Sequence, residues 1–252
     1  MSSVSNYIVI PARLKSTRLP RKMLLRETGK SLIQHTWEAA SKAIKPSGIC
    51  IATDHEEIST EVARFGGRSQ LTSPLAASGT DRVAEVAERM PEVEIFVNVQ
   101  GDEPEIEPAA IDQVIELLEQ NESASVSTLA TPIRSRAVLE DPNCVKVVCD
   151  DQGFAMYFSR SPIPHAREWS DDLLHSQPPT FLLHLGIYAY RRDFLVEFTQ
   201  RPPARLETVE RLEQLRVLAA GHQIAVGIVE KAPPGIDTLE DYRAFVSRAT
   251  QR

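Results

Sequence analysis

The chain has 252 residues, of which 42% are hydrophobic and 25% are charged, and its formal net charge at pH 7 is -7. This is the composition of a globular protein with a full core, and it excludes disordered, fibrous and disulfide-framed classes. The negative balance argues against general binding to nucleic acid or to an anionic membrane, so an anionic ligand would have to meet a local cluster of cations.

The first half of the chain alternates strand and helix signals. Compact apolar runs predict strands, and segments with helical spacing of apolar residues lie between them. The strands are predicted at 7–10, 48–53 and 95–99, and the helices at 31–42, 56–65, 79–90 and 109–120. This alternation is typical of βαβ units, and it predicts a parallel sheet with helices on both faces.

In the second half the predicted strands lie closer together along the chain. They fall at 145–149, 155–159 and 186–190, with a Pro-rich irregular segment at 162–179 between them. A helix at 207–220, a strand at 224–228 and a helix from 239 follow. We expect a smaller mixed subregion packed on the first sheet. Because no linker or repeat is present, we expect one domain over 1–252, with halves at about 1–130 and 131–252.

The N-terminal segment and the cysteines indicate the compartment. The first 15 residues lack the charged start and apolar segment of a signal peptide, and no run reaches membrane-spanning length. The three cysteines, Cys50, Cys144 and Cys149, lie in or beside apolar strand-like segments. Such positions suit reduced packing residues better than a disulfide or metal framework. We therefore expect a cytoplasmic protein.

A basic segment, PARLKSTRLPRK, follows the first predicted strand. Six cations and no acid lie between Arg13 and Arg26, and the first acid is Glu27. The six are Arg13, Lys15, Arg18, Arg21, Lys22 and Arg26. In open parallel sheets ligands bind at the carboxyl ends of strands, so this loop is placed to bind a polyphosphate. A solvated basic loop is the alternative. Without a glycine before Gly29, the loop matches neither GxxxxGK[ST] nor GxGxxG, and side chains would have to hold the phosphates.

The sequence SGTDR marks the start of a predicted helix. Ser78 or Thr80 can cap the helix, and Arg82 falls in its first turn. An ordinary helix cap explains most of this motif. A cation in the first turn opposes the helix dipole, however, and this favours an anion shared at that position.

Two acids follow strand signals far apart in the chain. Asp102 lies in QGDEP, where it could simply stabilise a turn. Asp237 lies in GIDTLEDY, where Thr238 and Asp241 resemble a capping box and Asp237 could simply enter the last helix. Two carboxylates beside a phosphate-binding loop would nevertheless suit Mg²⁺, a hard ion usually held by one or two carboxylates and substrate phosphates.

Nine motifs in order resemble one family over residues 7–245. They are PARxxSTRLPxK, ATDHEE, SGTDR, VNVQGDEPEI, NCVKVV, YFSRSPIP, HLGIYAY, LEQLRVL and GIDTLEDY. This pattern resembles the 3-deoxy-manno-octulosonate (Kdo) cytidylyltransferases, also called CMP-Kdo synthetases. The resemblance implies a Rossmann-like α/β nucleotidyltransferase fold, with a nucleotide-binding first half and a second half for sugar binding and dimerisation.

The resemblance also implies an activity. Family members transfer CMP from CTP to the anomeric hydroxyl of Kdo, an acidic sugar of lipopolysaccharide, and release pyrophosphate. They require Mg²⁺ and are typically homodimers. A cytidylyltransferase for another acidic sugar, such as sialic acid or an amino variant of Kdo, is the alternative enzyme. A nucleotide-sensing module with a degenerate site is less consistent with the retained cations and acids.

Residue roles are carried over from the family motif by motif. The resemblance implies that Lys22, Asp102 and Asp237 are catalytic and that the two acids bind magnesium. Nucleotide binding is implied for Pro11, Ala12, Arg13, Ser16, Lys22 and Arg82. The sugar pocket is implied to comprise Gln100, Arg160, Arg167, His184, Tyr188 and Glu213. The two arginines could bind the sugar carboxylate with their guanidinium forks, and surface ion pairs are the alternative.

Three of the sugar-pocket positions could equally serve a purely structural purpose. Tyr188 could be a strand aromatic, Glu213 part of a solvated helix face, and His184 a core histidine. Two further positions depart from the family pattern. Arg21 stands where the family usually has glycine, which makes the loop bulkier. His165 stands where an aromatic residue is common, and it adds a titrating group near the acidic sugar.

Overall fold

Nine strands form one sheet in the part of the chain that the computed structural model describes, which is residues 5–16, 18–232 and 234–251. The strands are β1 (Asn6–Ala12), β2 (Gly48–Thr53), β3 (Ser69–Leu71), β4 (Ile95–Asn98), β5 (Ala124–Pro132), β6 (Lys146–Cys149), β7 (Ala155–Ser159), β8 (Leu182–Arg191) and β9 (Gln223–Ile228). Their order is β3-β2-β1-β4-β8-β5-β9, and β6 pairs with both β7 and β8.

The first four strands are parallel, as predicted. β1 pairs with β2 and β4, and Val9 lies opposite both Cys50 and Asn98. All four residues of β4 and six of the seven residues of β1 are buried, which is typical of parallel strands covered on both faces. Because these strands run in the same direction, the loops after β1 and β4 leave the sheet at the same edge.

The second half of the sheet is mixed, also as predicted. β8 runs antiparallel between β4 and β5, whereas β5 and β9 are parallel. The β6–β7 hairpin adds to the N-terminal end of β8, where Lys146 lies opposite Leu183. The sugar-side residues predicted on β8 therefore lie in the same sheet as β1 and β4.

Helices cover both faces of the sheet. They are α1 (Leu32–Ala40), α2 (Glu56–Arg64), α3 (Gly79–Glu88), α4 (Pro108–Gln120), α5 (Arg136–Glu140), α6 (Arg192–Phe198), α7 (Arg205–Glu210), α8 (Gln214–Ala219) and α9 (Leu239–Ala249). One core cluster joins the sheet to α3, α6 and α8, and another joins it to α1, α2 and α4. A smaller cluster packs Phe245 of α9 against Leu19, so the last helix supports the basic loop.

Several elements differ from the sequence expectations: β3, α5 and α6 were not predicted, and two larger differences lie in the second half of the chain. β5 was not predicted, because its interior carries hydroxyl residues; Ser127 and Thr128 are fully buried and donate hydrogen bonds to main-chain carbonyls. The single helix expected at 207–220 was wrong. Arg211 adopts the left-handed conformation (φ 53°), which ends α7, and Glu213 becomes the N-cap of α8.

Other local predictions are confirmed. Thr238 and Asp241 form the capping box of α9. Ser78, not Thr80, caps α3, in a capping box with Asp81. The three cysteines are unpaired, and Cys50 is buried. No helix in the described parts of the chain is both long and apolar enough to span a bilayer.

Candidate active site

A cavity of about 300 Å³ lies at the carboxyl edge of β1 and β4. Four parts of the chain form it: the basic loop after β1, the turn after β4, the start of α3 with the residues just before it, and the segment before α9. The lining residues are Pro11, Ala12, Arg13, Ser16, Arg18, Lys22, Met23, Ala76, Ala77, Ser78, Gly79, Arg82, Gln100, Gly101, Asp102 and Asp237. Every residue predicted to bind nucleotide or metal therefore lines one cavity.

Close backbone approach holds the turn after β4 against β1. A Cβ atom on Gly101 would lie 3.0 Å from the main-chain oxygen of Pro11 and 3.1 Å from Sδ of Met23, so only glycine fits without a shift. The Gly101 carbonyl accepts a hydrogen bond from Oγ1 of Thr36 at 2.8 Å. The turn is thereby fixed between β1 and α1, and Asp102 follows it directly.

Lys22 connects the basic loop with the turn after β4 and with the segment before α9. Its side chain is only 8% exposed, and Nζ donates to Oδ2 of Asp102 at 2.6 Å and to the Ile236 carbonyl at 2.7 Å. The same Nζ lies 3.6 Å from Oδ1 of Asp237. One ammonium group thus lies beside both predicted metal-binding carboxylates, although 135 residues of sequence separate the two acids.

Asp237 reaches the site through main-chain contacts. The Ile236 amide donates to the Asp102 carbonyl at 3.0 Å, and Arg18 donates to Oδ1 of Asp237 at 2.8 Å. The Arg18 and Asp237 side chains are both more than half exposed, so this pair can exchange partners at little cost. Arg18 lines the cavity and was not among the predicted site residues.

Five of the six cations of the basic segment fall into two groups, and the sixth, Lys15, is exposed outside the cavity lining. Arg13, Arg18 and Lys22 line the cavity. Arg21 instead forms an ion pair with Glu57, and Arg26 pairs with the buried Glu61 at 2.8 Å, so both are attached to α2. The expectation that the whole segment faces a polyphosphate is therefore too broad, because neighbouring acids on α2 hold two of its members.

Arg82 is buried at the start of α3 and has three protein partners. Its Nη1 donates to Oγ1 of Thr72 at 2.8 Å and to the Ser73 carbonyl at 3.0 Å, and its Nη2 lies 3.1 Å from Oδ2 of Asp54. The anion expected beside Arg82 in the first turn of α3 is thus Asp54, which follows β2. Arg82 still lines the cavity, where donors not used by these partners are available for a ligand.

Two of the residues predicted to bind the sugar, His184 and Tyr188, belong to an aromatic group outside the cavity lining. The His184 ring lies 5.0 Å from Phe158 and 5.3 Å from Tyr188, measured between ring centroids. Burial lowers the pKa of His184 to about 3 and raises the pKa of Tyr188 well above its usual value. The aromatic group therefore carries no charge near neutral pH.

Glu213 links this aromatic group to the cavity. Burial raises the pKa of its carboxyl group, and hydrogen bonding with the Thr80 and Ser78 hydroxyls opposes that rise. Its charge in turn helps to raise the pKa of Tyr188. Gln100 makes a second link, because it lines the cavity and donates to the Gly186 carbonyl at 3.3 Å.

The two predicted carboxylate-binding arginines occupy different surroundings. The Arg160 guanidinium donates to the main-chain carbonyls of Glu210 at 2.8 Å, Pro142 at 2.9 Å and Arg211 at 3.5 Å. Arg167 is exposed on the Pro-rich segment. The structure brings neither guanidinium into a hydrogen bond with the other sugar-side residues across 5–16, 18–232 and 234–251, and their roles stay predictions.

Several cavity residues were not predicted from the sequence. Ser78 and Gly79 belong to a motif that predicts only a helix start, and a Cβ on Gly79 would lie 3.1 Å from Cγ of Pro11. Ala76 and Ala77 could not be recognised from their side chains, because only their main-chain groups could form hydrogen bonds with a ligand. The approach of this segment to β1 could have been inferred from the glycine, but not from the alanines.

A family model described as cytidylyltransferase matches residues 7–224. The chain is 51% identical over 242 residues to the 3-deoxy-manno-octulosonate cytidylyltransferase of Rhodopirellula baltica, covering 96% of this chain and 97% of that protein. It is 47% identical to the enzyme of the same name from Geobacter sulfurreducens, covering 95% and 97%. The chain belongs to the 3-deoxy-manno-octulosonate cytidylyltransferase family.

A solved structure supports the same assignment. It is a CMP:2-keto-3-deoxy-manno-octonic acid synthetase complexed with CTP, and it matches with a TM-score of 0.90 and 38% identity over 98% of this chain and 99% of that one. A cytidylyltransferase from Leptospira borgpetersenii matches at a TM-score of 0.64 and 15% identity, which shows the fold alone. The Rossmann-like nucleotidyltransferase fold expected from the motifs is confirmed.

Proposed function

We propose that this chain transfers CMP from CTP to the anomeric hydroxyl of Kdo, gives CMP-Kdo and pyrophosphate, and serves lipopolysaccharide biosynthesis. The observation that carries this proposal is the identity of 51% over nearly the whole chain with a Kdo cytidylyltransferase. The convergence of loop cations and two carboxylates at one strand edge supplies the chemistry that such a transfer needs.

The basic loop would bind the triphosphate. Arg13, Arg18 and Lys22 place three positive charges in the cavity, and the Ser16 hydroxyl adds a hydrogen-bond donor. Because phosphate oxygens repel an approaching hydroxyl, these cations lower the barrier by neutralising negative charge. Pro11 and Ala12 end β1 at this edge, and Arg82, held by Asp54, would complete the nucleotide side.

The donor set fits a magnesium ion bound together with substrate. No group of three or more His, Cys, Asp or Glu side chains suited to a metal occurs in the described residues, so the protein would supply only Asp102 and Asp237. Mg²⁺ is commonly held by one or two carboxylates and substrate phosphates. When bound, it would neutralise phosphate charge and polarise the reacting phosphoryl group. Lys22 would orient both carboxylates from between them.

The sugar would bind beside the aromatic group. Glu213 and the neutral His184 can accept hydrogen bonds from sugar hydroxyls, while Tyr188 can donate one. Arg160 and Arg167 would bind the sugar carboxylate, and Gln100 would lie between sugar and nucleotide. These groups would hold the anomeric hydroxyl in line with the phosphoryl group. We also propose that the enzyme acts as a homodimer, which sedimentation equilibrium would test.

The test is a substrate panel. Purified protein is mixed with Mg²⁺, one nucleotide and one acidic sugar, and both pyrophosphate and the CMP-sugar are measured. We expect rapid turnover with CTP and Kdo, weak turnover with UTP or with sialic acid, and none in EDTA. Faster turnover with sialic acid or amino-Kdo would reassign the sugar. CTP binding without turnover on any acidic sugar, in protein that is folded by circular dichroism, would instead indicate a nucleotide-sensing module.

A further inference from the structure

Strand β8 carries a bulge beside the aromatic group. Thr128 of β5 lies opposite Tyr188, but the next residue, Leu129, lies opposite Leu185. Two residues of β8, Gly186 and Ile187, therefore have no counterpart on β5. Bulges disrupt the regular ladder and often lie next to active sites, where they redirect side chains.

The hydroxyl group of Thr128 lies at this bulge, beside main-chain carbonyls of β8. Thr128 is fully buried, and its Oγ1 lies 2.7 Å from the Ile187 carbonyl and 3.1 Å from the Leu185 carbonyl. The same oxygen lies 3.0 Å from Nε2 of His184. One hydroxyl group thus has two carbonyl oxygens and one ring nitrogen within hydrogen-bonding distance.

The single hydrogen of the Thr128 hydroxyl determines which of these contacts it donates and which it accepts. A hydroxyl has one hydrogen to donate, and carbonyl oxygens can only accept. Two oxygen atoms 2.7 Å apart need a hydrogen between them, so the Thr128 hydrogen is directed to the Ile187 carbonyl. The Leu185 carbonyl, at 3.1 Å, is also an acceptor and can only share that hydrogen. The contact with the ring must then be a hydrogen bond that Nε2 of His184 donates to Oγ1 of Thr128.

The surroundings of the ring agree with a neutral histidine. His184 packs edge-on against Phe158 and close to Tyr188, and burial lowers its pKa to about 3. A neutral imidazole carries a proton on one nitrogen and a lone pair on the other. With the proton on Nε2, the lone pair is on Nδ1. No hydrogen bond to Nδ1 arises from the described parts of the chain.

We propose that Thr128 is a positioning residue that holds His184 in the Nε2–H tautomer, so that Nδ1 accepts a hydrogen bond from a hydroxyl of the sugar substrate. The second part rests on the proposed function, because it requires the sugar to bind at His184. Thr128 itself makes no contact with substrate and acts only through the ring. The bulge fixes the direction of the Thr128 hydrogen, and that direction fixes the tautomer.

The first measurement is ¹⁵N NMR of the histidine rings. The protein has six histidines, so His184→Gln serves to assign the signals of this ring. We expect an unprotonated Nδ1 and a protonated Nε2 at neutral pH. A protonated Nδ1 with an unprotonated Nε2, or a doubly protonated ring, would overturn the proposal without any activity measurement.

The second measurement compares variants of β5. Thr128→Val keeps the shape but removes the acceptor, so we expect mixed tautomers, a KM for Kdo raised about three- to tenfold and an unchanged Kd for CTP. Thr128→Ser should restore both the spectrum and the KM. Ser127→Ala is the matched control, since it removes a buried hydroxyl bonded to the Val114 carbonyl, away from His184.

The outcomes separate this proposal from the proposed function. A wild-type spectrum and KM in Thr128→Val would overturn the role of Thr128. If Thr128→Val fails to fold, the spectra of the wild type and of Thr128→Ser decide the tautomer. An Nε2–H ring in a protein that makes no CMP-Kdo would overturn the proposed function and the sugar contact together. A protonated Nδ1 in an active enzyme would overturn this proposal alone.

Discussion

The proposed nucleotide side and the proposed sugar side of the site are built differently. On the nucleotide side, Ala12 ends β1 and Asn98 ends β4, and the two strands are parallel neighbours, so the loops that follow them meet without further adjustment. On the sugar side, the residues come from a bulged strand, from a helix broken at Arg211 and from the Pro-rich segment. Topology positions the first side, whereas local irregularities position the second.

Hydrogen-bond networks hold these irregularities in place. Lys146 is fully buried, and its Nζ donates to the carbonyls of Asp141, Cys144 and Arg160. Glu210 accepts hydrogen bonds from Oγ of Ser159 and from the Arg160 amide. Buried polar networks of this kind specify one arrangement only when every member is satisfied. We therefore expect substitutions within these networks to affect stability and sugar binding together.

The largest expected effect is at the carboxylates of the nucleotide side. Asp102→Asn keeps the shape but removes the charge that Lys22 contacts at 2.6 Å, and Asp237→Asn removes the second charge. We expect either change to lower kcat by on the order of 100-fold while the protein stays folded. Steady-state kinetics over a range of Mg²⁺ concentrations, with circular dichroism, measure this.

A matched control for these variants is Asp112→Asn. Asp112 is also a carboxylate bonded to protein groups, the amides of Ile44 and Lys45, but it lies outside the cavity. It should keep wild-type turnover. Near-normal kcat in folded Asp102→Asn would contradict the metal role and leave this carboxylate as a partner of Lys22 only.

The next largest effect separates two cations of the same loop. Lys22 is buried in the cavity, whereas Lys15 is exposed and outside the cavity lining. We expect Lys22→Ala to raise the KM for CTP roughly 10- to 100-fold, because a charge-assisted phosphate contact is lost, and Lys15→Ala to leave it unchanged. Equal effects of the two variants on CTP kinetics would mean that net charge, not position, governs nucleotide binding.

The same contrast explains what the sequence could and could not predict. QGDEP and the basic segment each follow a strand signal, so their convergence at one sheet edge followed from the parallel topology. The ion pairs of Arg21 and Arg26 with acids of α2 were not predictable, because partners on different elements share no regular spacing in the sequence. β5 was missed because Ser127 and Thr128 interrupt its apolar run, and only their carbonyl partners explain the burial.

A smaller effect distinguishes the two sugar-side arginines. Arg160 donates to three main-chain carbonyls, so Arg160→Lys should lower the free energy of unfolding by about 1–2 kcal/mol and also raise the KM for Kdo. Arg167 is exposed, so Arg167→Lys should leave stability unchanged and raise only the KM for Kdo, by about tenfold. Urea unfolding and kinetics at saturating CTP measure the two quantities.

These variants also test the carboxylate clamp itself. A Kdo analogue without its carboxylate should be a poor substrate for the wild type, since it could not form charge-assisted hydrogen bonds with the two guanidinium groups. CTP binding by calorimetry serves as the internal control, and it should be unaffected in both variants. Wild-type kinetics towards Kdo in both Arg160→Lys and Arg167→Lys would show that another group binds the carboxylate.

The smallest expected effect concerns strain on the nucleotide side. Arg21, where the resemblance led us to expect glycine, adopts the left-handed conformation with φ 56° and ψ 28° directly before Lys22. That conformation costs a residue with a side chain about 1–2 kcal/mol. Arg21 also forms an exposed ion pair with Glu57, and exposed ion pairs of this kind contribute little to stability.

Arg21→Gly should therefore change the free energy of unfolding by less than about 1 kcal/mol. The substitution relieves strain, but it adds unfolded-state entropy of about 1 kcal/mol and removes the ion pair. Arg21→Val should lower stability by about 1–2 kcal/mol, because a branched side chain fits this conformation worst. Glu57→Gln isolates the ion pair. If Arg21→Gly or Glu57→Gln raised the KM for CTP, the attachment to α2 would position Lys22, and topology alone would not explain the nucleotide side.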